Sequence, residues 1–445
     1  MSHIEPTLTR EQAAIVEAAH KLRLGECLRV IAFAGAGKTS TLRAVAGAMG
    51  QRRGLYVAFN KAIAAEAKSR FPETMRCQTM HSVAWGAQGL KPDEIGPLNA
   101  HSVLAHFGNQ GWSPAPVAGL RPISQARHVA RLVTAFCQGA AQEPTQAEIE
   151  ELLDRHVLRL PPAGASAVHE AHQPLLRKRE VLGHVLRDRG REACRRFLGW
   201  RANGLKISHD IYLKSFALDE DLIRHALQQV DYICLDEAQD LNPVLRQIAV
   251  AAGKPVIAVG DPWQAIYGWR GAQDALRHLL GDRLYLSQSF RFGDAVAAVA
   301  RRVLASRPGS KPERPLRKVE REGLVRPYAG PPQGVRAVLC RTNARLLKQA
   351  FALAQIGRSF HVPGGIEEMA TEVCSAQALA EGRMQEVRAE KPRRFTSWEQ
   401  FIEEAEETGD AALARLRDAV EEGVVMPCRR SRPRRRQPRP RRRWR

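Results

Sequence analysis

The sequence AGAGKTS, residues Ala34–Ser40, decides the fold because it has the features of a phosphate-binding loop. It follows an apolar run, Cys27–Phe33, that is typical of a buried strand, and a helical pattern follows it. Glycines let the backbone approach a phosphate, and N–H groups at a helix N-terminus bind it. Lys38 is expected to bind the β- and γ-phosphates of a nucleotide, and Thr39 a Mg²⁺ ion. The strict pattern has glycine where this chain has Ala32, but that position is not needed for the phosphate cradle.

Strand and helix patterns alternate on both sides of this loop, and together with it they predict an α/β fold of the P-loop NTPase type. Its parallel sheet is expected to carry helices on both faces. A capping-box spacing at Thr9–Gln12 opens a helix before the first strand. Further strands are predicted at Leu55–Phe59, in a short run before Thr79, at Tyr232–Leu235 and at Pro255–Val259.

The composition changes along the chain and divides it into four parts. Strand signals are scarce in 85–205, which predicts a mostly helical insertion in a first α/β domain made of 1–84 and 206–286. Residues 287–425 begin a partial second α/β domain, with a strand predicted at Val335–Cys340 and a helix at Trp398–Glu406. The Arg/Pro-rich tail, 426–445, cannot build a core. It is either an electrostatic arm for nucleic acid or the product of a shifted reading frame, and we favour the latter.

Two adjacent carboxylates follow the strand at Tyr232–Leu235. Asp236 at the end of the strand suits a Mg²⁺ ligand, and Glu237 suits a base that orients or deprotonates the attacking water. The alternative is a solvated acidic turn, but two carboxylates after a buried strand are costly as mere structure. Together with the loop at Lys38 they favour a catalytic site.

The stretch GDPWQAIYGWRG, Gly260–Gly271, combines polar and aromatic residues at the exit of another strand. Gln264 can hydrogen-bond a phosphate or the attacking water. Trp263, Tyr267 and Trp269 offer flat faces for bases, and Arg270 offers charge for a phosphate. The alternative is a turn whose aromatic residues pack into the core.

Three further residues are candidates for the nucleotide. Gln12 can read the adenine edge, Phe290 can stack on adenine, and Arg291 can reach the γ-phosphate. The alternatives are a surface glutamine in a capping box, an aromatic core residue and a surface arginine. For nucleic acid, the candidates that interleave aromatic and polar groups are Phe59, Asn60 and His81, with Tyr267, Trp269 and Arg270.

The overall composition is consistent with a nucleic-acid partner. The formal charge is +21, and removing the eleven arginines of 429–445 leaves +10, which favours a polyanion. The eight cysteines form no CxxC pair, so we expect free thiols and no metal cluster. Neither a signal peptide nor a membrane span is expected, which predicts a cytoplasmic, nucleoid-associated protein.

Seven motifs in order resemble those of superfamily 1 DNA helicases of the UvrD/Rep/PcrA type. They are TREQ at Thr9, AGAGKTS at Ala34, AFNKAIAAEAK at Ala58, QTMHS at Gln78, DEAQD at Asp236, GDPWQAIYGWRGA at Gly260 and QSFRF at Gln288. FNKAIA and QTMHS are most similar to the branch that contains the F-box DNA helicases. The match covers roughly 8–365, and the motif at Gly260 distinguishes this family from superfamily 2 helicases.

The resemblance implies two RecA-like domains with ATP and Mg²⁺ between them, and 3′-to-5′ movement on single-stranded DNA. It implies that the catalytic residues are Lys38, Glu237, Gln264 and Arg291, with Arg291 as an arginine finger. The implied ATP-binding residues are Gln12, Ala34, Gly35, Ala36, Gly37, Lys38, Thr39, Ser40 and Phe290. The implied metal ligands are Thr39 and Asp236, and the implied DNA-binding residues are Phe59, Asn60, His81, Tyr267, Trp269 and Arg270.

The later motifs of the family, including one with a second arginine finger, do not occur after Gly365. We therefore expect a truncated or frameshifted form of an ATP-dependent DNA helicase that acts in repair or recombination. The alternative is a non-catalytic remnant that binds ATP and DNA. A kinase or another P-loop NTPase is disfavoured by the motif at Gly260.

Overall fold

The computed structural model describes residues 8–108, 122–154, 183, 186–265, 274–306, 312–317, 325, 337–340, 342–363, 365–408 and 411–421. The chain divides into two compact units, Met1–Val325 and Arg326–Arg445. The first unit contains a six-stranded sheet in the order β3-β2-β4-β5-β1-β6, and every strand pair in it is parallel. The strands are β1 (Cys27–Ala32), β2 (Gly54–Val57), β3 (Met75–Gln78), β4 (Tyr232–Leu235), β5 (Val256–Gly260) and β6 (Asp282–Leu286).

The helices of the first unit surround this sheet. They are α1 (Arg10–Lys21), α2 (Lys38–Ala48), α3 (Lys61–Lys68), α4 (Met80–Gln88), α5 (Ala100–Gly108), α6 (Pro122–Gln138), α7 (Gln146–Leu152), α8 (186–198), α9 (Trp200–Asn203), α10 (His209–Ala217), α11 (Glu220–Ala226), α12 (Pro243–Ala251), α13 (Ala275–His278) and α14 (Asp294–Ser306).

The sheet separates two hydrophobic cores because successive side chains of a strand point to opposite faces. In β5, Val256 and Ala258 belong to one core, and Ile257 and Val259 belong to the other. The helices α1 and α2 cover one face, and the helical insertion covers the other. The strand β5 is buried along its whole length, as expected for the interior of a parallel sheet. The predicted α/β fold with helices on both faces is therefore confirmed.

The predicted elements of the first unit agree with the structure to within one or two residues. Thr9 caps α1, and the capping box with Gln12 is present. The described part of 85–205 contains helices and no β-strand, as expected for the insertion. The strand β6, DRLYL, was not predicted. Its first two residues are charged and exposed, so it lacks the apolar run of a buried strand.

The second unit consists, over its described residues, of helices joined by irregular segments, and none of these residues forms a β-strand. It contains α15 (Asn343–Gln355), α16 (Glu367–Ala380), α17 (Glu390–Arg393), α18 (Trp398–Thr408) and α19 (Ala411–Glu421), packed around a core that includes Leu347, Phe401 and Leu416. The helix predicted at Trp398 is confirmed. The strand predicted at Val335–Cys340 is wrong for residues 337–340, which have no regular secondary structure. The assignment of 287–425 to a partial second RecA-like domain stays a prediction.

None of the helices in the described ranges combines the length and the apolar character needed to cross a membrane.

Candidate nucleotide-binding and catalytic site

The predicted phosphate-binding loop connects β1 to α2. Gly35 and Gly37 have φ values of 71° and 81°, in the left-handed region that side chains disfavour. A side chain at Gly35 would also collide with Arg291, because its Cβ would lie 2.4 Å from the Cβ of Arg291. Gly37 is the N-cap of α2 and offers no side chain to cap it, which suits a helix N-terminus that accepts a phosphate. Both glycines are therefore required by the backbone of the loop.

The carboxylates at the exit of β4 face this loop. Lys38 Nζ lies 3.1 Å from Glu237 Oε2, and Thr39 Oγ1 donates a hydrogen bond of 3.0 Å to Asp236 Oδ2. The hydroxyl of Tyr56 donates a second bond of 2.7 Å to the same carboxylate oxygen. The structure thus brings together two residues predicted from the loop and two predicted from the acidic motif, although they are about two hundred residues apart in sequence.

The electrostatics of Asp236 fit a bound cation. Its side chain is buried, and burial raises the pKa of the carboxyl group, while hydrogen bonds from Tyr56 and Thr39 oppose that rise. The hydroxyl of Thr39 and the carboxylate of Asp236 are hard oxygen donors of the kind that Mg²⁺ prefers. The residues present therefore fit a magnesium site.

Glu237 is held in an unusual conformation. Its φ of 50° is the only positive value of a non-glycine residue within the described ranges. Such a conformation costs of order 1–3 kcal/mol and is found most often at functional sites. Next to it, buried Gln239 donates hydrogen bonds of 3.0 Å to both Glu237 Oε2 and Asp240 Oδ2. The side chain of Glu237 is thus fixed between Lys38 and Gln239.

Gln239 also connects this carboxylate to the exit of β5. Its Oε1 accepts a hydrogen bond of 2.9 Å from the backbone N–H of Asp261. A Cβ atom at Gly260 would lie only 2.5 Å from the same oxygen, so the close packing requires glycine there. Gln239 belongs to the DEAQD motif, but no role for it was expected from the sequence. Only its position between two carboxylates in sequence could have indicated a donor role.

The turn after β5 places Gln264 at the same edge of the sheet. Buried Asp261 accepts from Trp263 N at 3.0 Å and from Gln264 Nε2 at 2.5 Å. Burial raises the pKa of Asp261, and the charge of Lys38 opposes that rise. Trp263 is half-buried and stacks on Phe33 with ring centroids 5.0 Å apart, so its ring packs against the core of the unit, and its role as a face for bases stays a prediction. The predicted DNA-binding residues Tyr267, Trp269 and Arg270 lie outside the described residues.

The three remaining residues that were predicted to contact the nucleotide lie around the phosphate-binding loop. A Cβ atom at Gly37 would lie 3.2 Å from Gln12 Nε2 and 4.0 Å from Phe290 Cε2, so these side chains flank the glycine. Gln12 Nε2 donates to Thr41 Oγ1 at 3.2 Å, and Phe290 is 48% exposed. Arg291 is exposed and lies beside Gly35 in the same compact unit, not in a separate unit.

Of the DNA-binding candidates, the structure describes three, at the exits of β2 and β3. Phe59 is half-buried, and the side chain of Asn60 caps α3 by accepting from Ile63 N at 2.9 Å. His81 makes edge contacts with Tyr212 and His209 of α10, at centroid distances of 6.0 and 6.3 Å. The DNA-binding role of these three residues stays a prediction.

The environment of His81 keeps its imidazole neutral near pH 7. Burial, with the nearby His209 and Lys61, lowers the pKa of His81 to about 4. These aromatic neighbours could not be expected from the sequence, because α10 is more than a hundred residues away from His81.

Comparison with known proteins agrees with this geometry. Residues 187–278 match the model of the UvrD/REP helicase N-terminal domain. The chain is 32% identical to F-box DNA helicase 1 of Gallus gallus over 370 residues, which are 81% of this chain and 34% of that protein. It is 28% identical to F-box DNA helicase protein 1 of Schizosaccharomyces pombe over 452 residues, 93% of this chain and 47% of that protein. It is 30% identical to DNA helicase II of Escherichia coli over 112 residues, 23% of this chain and 15% of that protein.

The chain therefore spans between a third and half of the length of the two F-box DNA helicases. The matches to the two F-box DNA helicases extend over most of the chain, and the family model's match at 187–278 includes the exits of β4 and β5 with Glu237, Gln239 and Gln264. Residues 187–278 therefore belong to the UvrD/REP helicase N-terminal domain family, and the chain is similar to UvrD-type helicases of superfamily 1.

Proposed function

We propose that the chain is an ATP-hydrolysing motor of a DNA helicase that moves 3′-to-5′ along single-stranded DNA. The observation that carries the proposal is the ion pair between Lys38 and Glu237, 3.1 Å long, beside the hydrogen bond between Thr39 and Asp236. This arrangement joins a phosphate-binding group, a carboxylate base and two oxygen ligands for Mg²⁺. The relatives named as DNA helicases support DNA as the substrate.

The residues at this site have separate tasks in the proposed reaction. Lys38 can exchange its carboxylate partner for phosphate oxygens, because Glu237 is 38% exposed at an open edge. Glu237 then accepts the proton of the attacking water, which is a general base role. Thr39 and Asp236 hold Mg²⁺, which neutralises charge on the phosphates when it is bound. Gln264 orients the water or senses the γ-phosphate, and Arg291 stabilises developing charge.

The experiment that tests this function is ATP hydrolysis with and without single-stranded DNA, for the parent chain and for Glu237→Gln. We expect DNA to stimulate the parent, and the variant to lose about 10² to 10⁴ in turnover while it keeps ATP binding. Glu17→Gln, on the exposed face of α1, is the matched control and should behave as the parent. A parent chain without stimulated turnover would contradict the motor, and retained binding of ATP and DNA would then support a non-catalytic binding protein.

A second experiment addresses the DNA contacts. Trp269→Ala should weaken binding of an oligothymidine by about 1–3 kcal/mol, the usual contribution of one base stacked on an aromatic ring. The affinity for ATP should stay nearly unchanged. Fluorescence anisotropy measures both, and Trp263→Phe is the control because Trp263 packs on Phe33. Equal DNA binding by Trp269→Ala and the parent would show that Trp269 is not a stacking platform.

The direction of movement is tested by strand displacement. DNA with a 3′ single-stranded tail should be unwound, and DNA with a 5′ tail should not.

A further inference from the structure

Glu11 makes contacts that are unusual for an acidic residue in the first turn of a helix. Its carboxylate accepts from the backbone N–H of Ser287 at 2.7 Å and from the hydroxyl of Ser287 at 2.6 Å. Arg317 donates a third hydrogen bond of 3.2 Å, and Arg314 lies 3.9 Å away. The side chain of Glu11 is only 16% exposed. On the same helix Glu17 is 69% exposed and pairs with Lys21, so the contacts of Glu11 are specific to its place in the fold.

The segment that Glu11 holds is also hydrogen-bonded to the phosphate-binding loop. Ser289 Oγ donates to the carbonyl of Ala34 at 2.7 Å, and Phe290 N donates to the carbonyl of Gly35 at 2.9 Å. Ser287 and Ser289 are fully buried, so these bonds are shielded from water. The segment 287–290 is therefore fixed at its start by α1 and at its end by the loop.

The backbone of Arg317 is hydrogen-bonded to the segment 287–290. Arg317 N donates to Ser287 O at 2.7 Å, and Ser289 N donates to Arg317 O at 3.0 Å. Arg317 thus pairs with the segment through its backbone and with Glu11 through its guanidinium group. One carboxylate connects the helix, the segment and residue 317.

The two sides of the predicted adenine site are carried by these same elements. Gln12 directly follows Glu11 on α1, and Phe290 is three residues after Ser287. Their side chains flank Gly37, as described above. Because Glu11 fixes the distance between α1 and the segment, it also fixes the distance between the glutamine amide and the aromatic ring.

We propose that Glu11 is a positioning residue that sets the adenine specificity of the site, through the separation of Gln12 and Phe290. The proposal rests on the proposed function, since it concerns which nucleotide the motor accepts. The contacts described above connect Glu11 with the elements that carry Gln12 and Phe290, and not with Lys38 or Glu237. Its loss should therefore affect recognition of the base and not the chemical step.

The test compares ATP and GTP as substrates for the parent and for Glu11→Ala, Glu11→Gln and Ser287→Ala, with Glu17→Ala as the control. We expect Glu11→Ala to raise the KM for ATP about tenfold, the effect of losing a charge-assisted hydrogen bond. The KM for GTP and the kcat for both nucleotides should change less than about twofold. Glu11→Gln and Ser287→Ala each keep part of the contact, so their KM values for ATP should lie between those of the parent and Glu11→Ala.

The preference for ATP over GTP is the readout that a merely structural role would not move. An equal rise of KM for both nucleotides, or a fall in kcat alone, would overturn the proposal. If Glu11→Ala fails to fold in a urea titration, the ratio measured for Glu11→Gln and Ser287→Ala decides the question in the same way. If the parent chain binds ATP without hydrolysing it, the proposed motor function is wrong. The role of Glu11 is still tested in that case, by the ratio of the dissociation constants for ATP and GTP. A parent chain without affinity for either nucleotide would overturn both proposals.

Discussion

Two lysines of the first unit have little exposure and different partners. Lys38 lies at the edge of the sheet that carries the predicted phosphate-binding loop, which we call the nucleotide edge, and Lys214 lies in α10. Lys38 is 12% exposed and pairs with the partly exposed carboxylate of Glu237. Lys214 is fully buried, and its ammonium group donates to the carbonyls of Gly139 and Ala141 at 2.9 and 2.5 Å. It also lies 5.0 Å from the centroid of the Phe136 ring.

The difference shows how the partner determines what a lysine can do. A carboxylate at an open edge can be exchanged for a phosphate, so Lys38 is available to a ligand. The carbonyls of Gly139 and Ala141 follow the end of α6, where a positive charge complements the helix dipole. Lys214 is buried in α10, and its ammonium group connects this helix to the end of α6. We therefore propose that the first lysine serves ligand binding and that the second serves stability.

The largest effect is expected from removing the first lysine. Lys38→Ala should lower ATP turnover by about 10² to 10³, as for the loss of a preorganised group that stabilises charge. The free energy of unfolding in urea should change by less than about 1 kcal/mol, since a partly exposed ion pair contributes little. Lys21→Ala, which removes an exposed ion pair with Glu17, is the control. Turnover at the level of the parent would place the phosphate contact elsewhere.

The opposite result is expected for the second lysine. Lys214→Met keeps the apolar stem but leaves two carbonyls without a donor, so the free energy of unfolding should fall by about 2 kcal/mol at pH 7. Turnover per folded molecule should stay within about twofold of the parent. Urea titrations with Lys21→Met as the control measure the effect. If Lys214→Met is as stable as the parent but has lost ATP hydrolysis, Lys214 serves the reaction and not stability.

The pH dependence of this effect has a defined sign. Burial lowers the pKa of Lys214 from 10.5 to about 8. Between pH 8 and 10.5 the unfolded state therefore binds more protons than the folded state, and the parent gains free energy of unfolding as the pH rises. Lys214→Met lacks this gain, so the stability difference between parent and variant should widen from pH 8 to pH 10. A constant difference would contradict the buried, protonated lysine.

A smaller effect is expected from the residue that links the two carboxylate-bearing turns. Gln239→Leu removes the donor to Glu237 and the acceptor for Asp261 N, so kcat should fall about tenfold, the effect of about one lost charged hydrogen bond. Gln239→Glu keeps an acceptor for Asp261 N but places a third carboxylate beside Glu237 and Asp240, so repulsion between like charges should also lower kcat. Gln228→Leu, at an exposed position, is the control. An unchanged kcat in both variants would show that Gln239 only packs.

The parts of the site that sequence predicted share one physical basis. Lys38, Thr39, Asp236 and Gln264 each follow an apolar strand, and the carboxyl ends of parallel strands lie at one edge. Local patterns sufficed to find them because each pattern lies within a few residues. Glu11 and Gln239 were not predicted, because their partners are 276 and 22 residues away in sequence and no local pattern encodes such distances. The edge strand β6 was missed because its first residues are exposed and charged.

The sequence by itself determined the α/β class, the order of the motifs and the chemical identity of the residues at the nucleotide edge. These properties depend on period, composition and short spacing, which a linear pattern contains. Only the tertiary structure decided that Gln239 joins two turns, that Trp263 packs on Phe33, and that Lys214 is internal while Lys38 lies at an open edge. Each of these depends on which distant backbone atoms come within hydrogen-bond or van der Waals distance, and packing of the whole unit sets those distances.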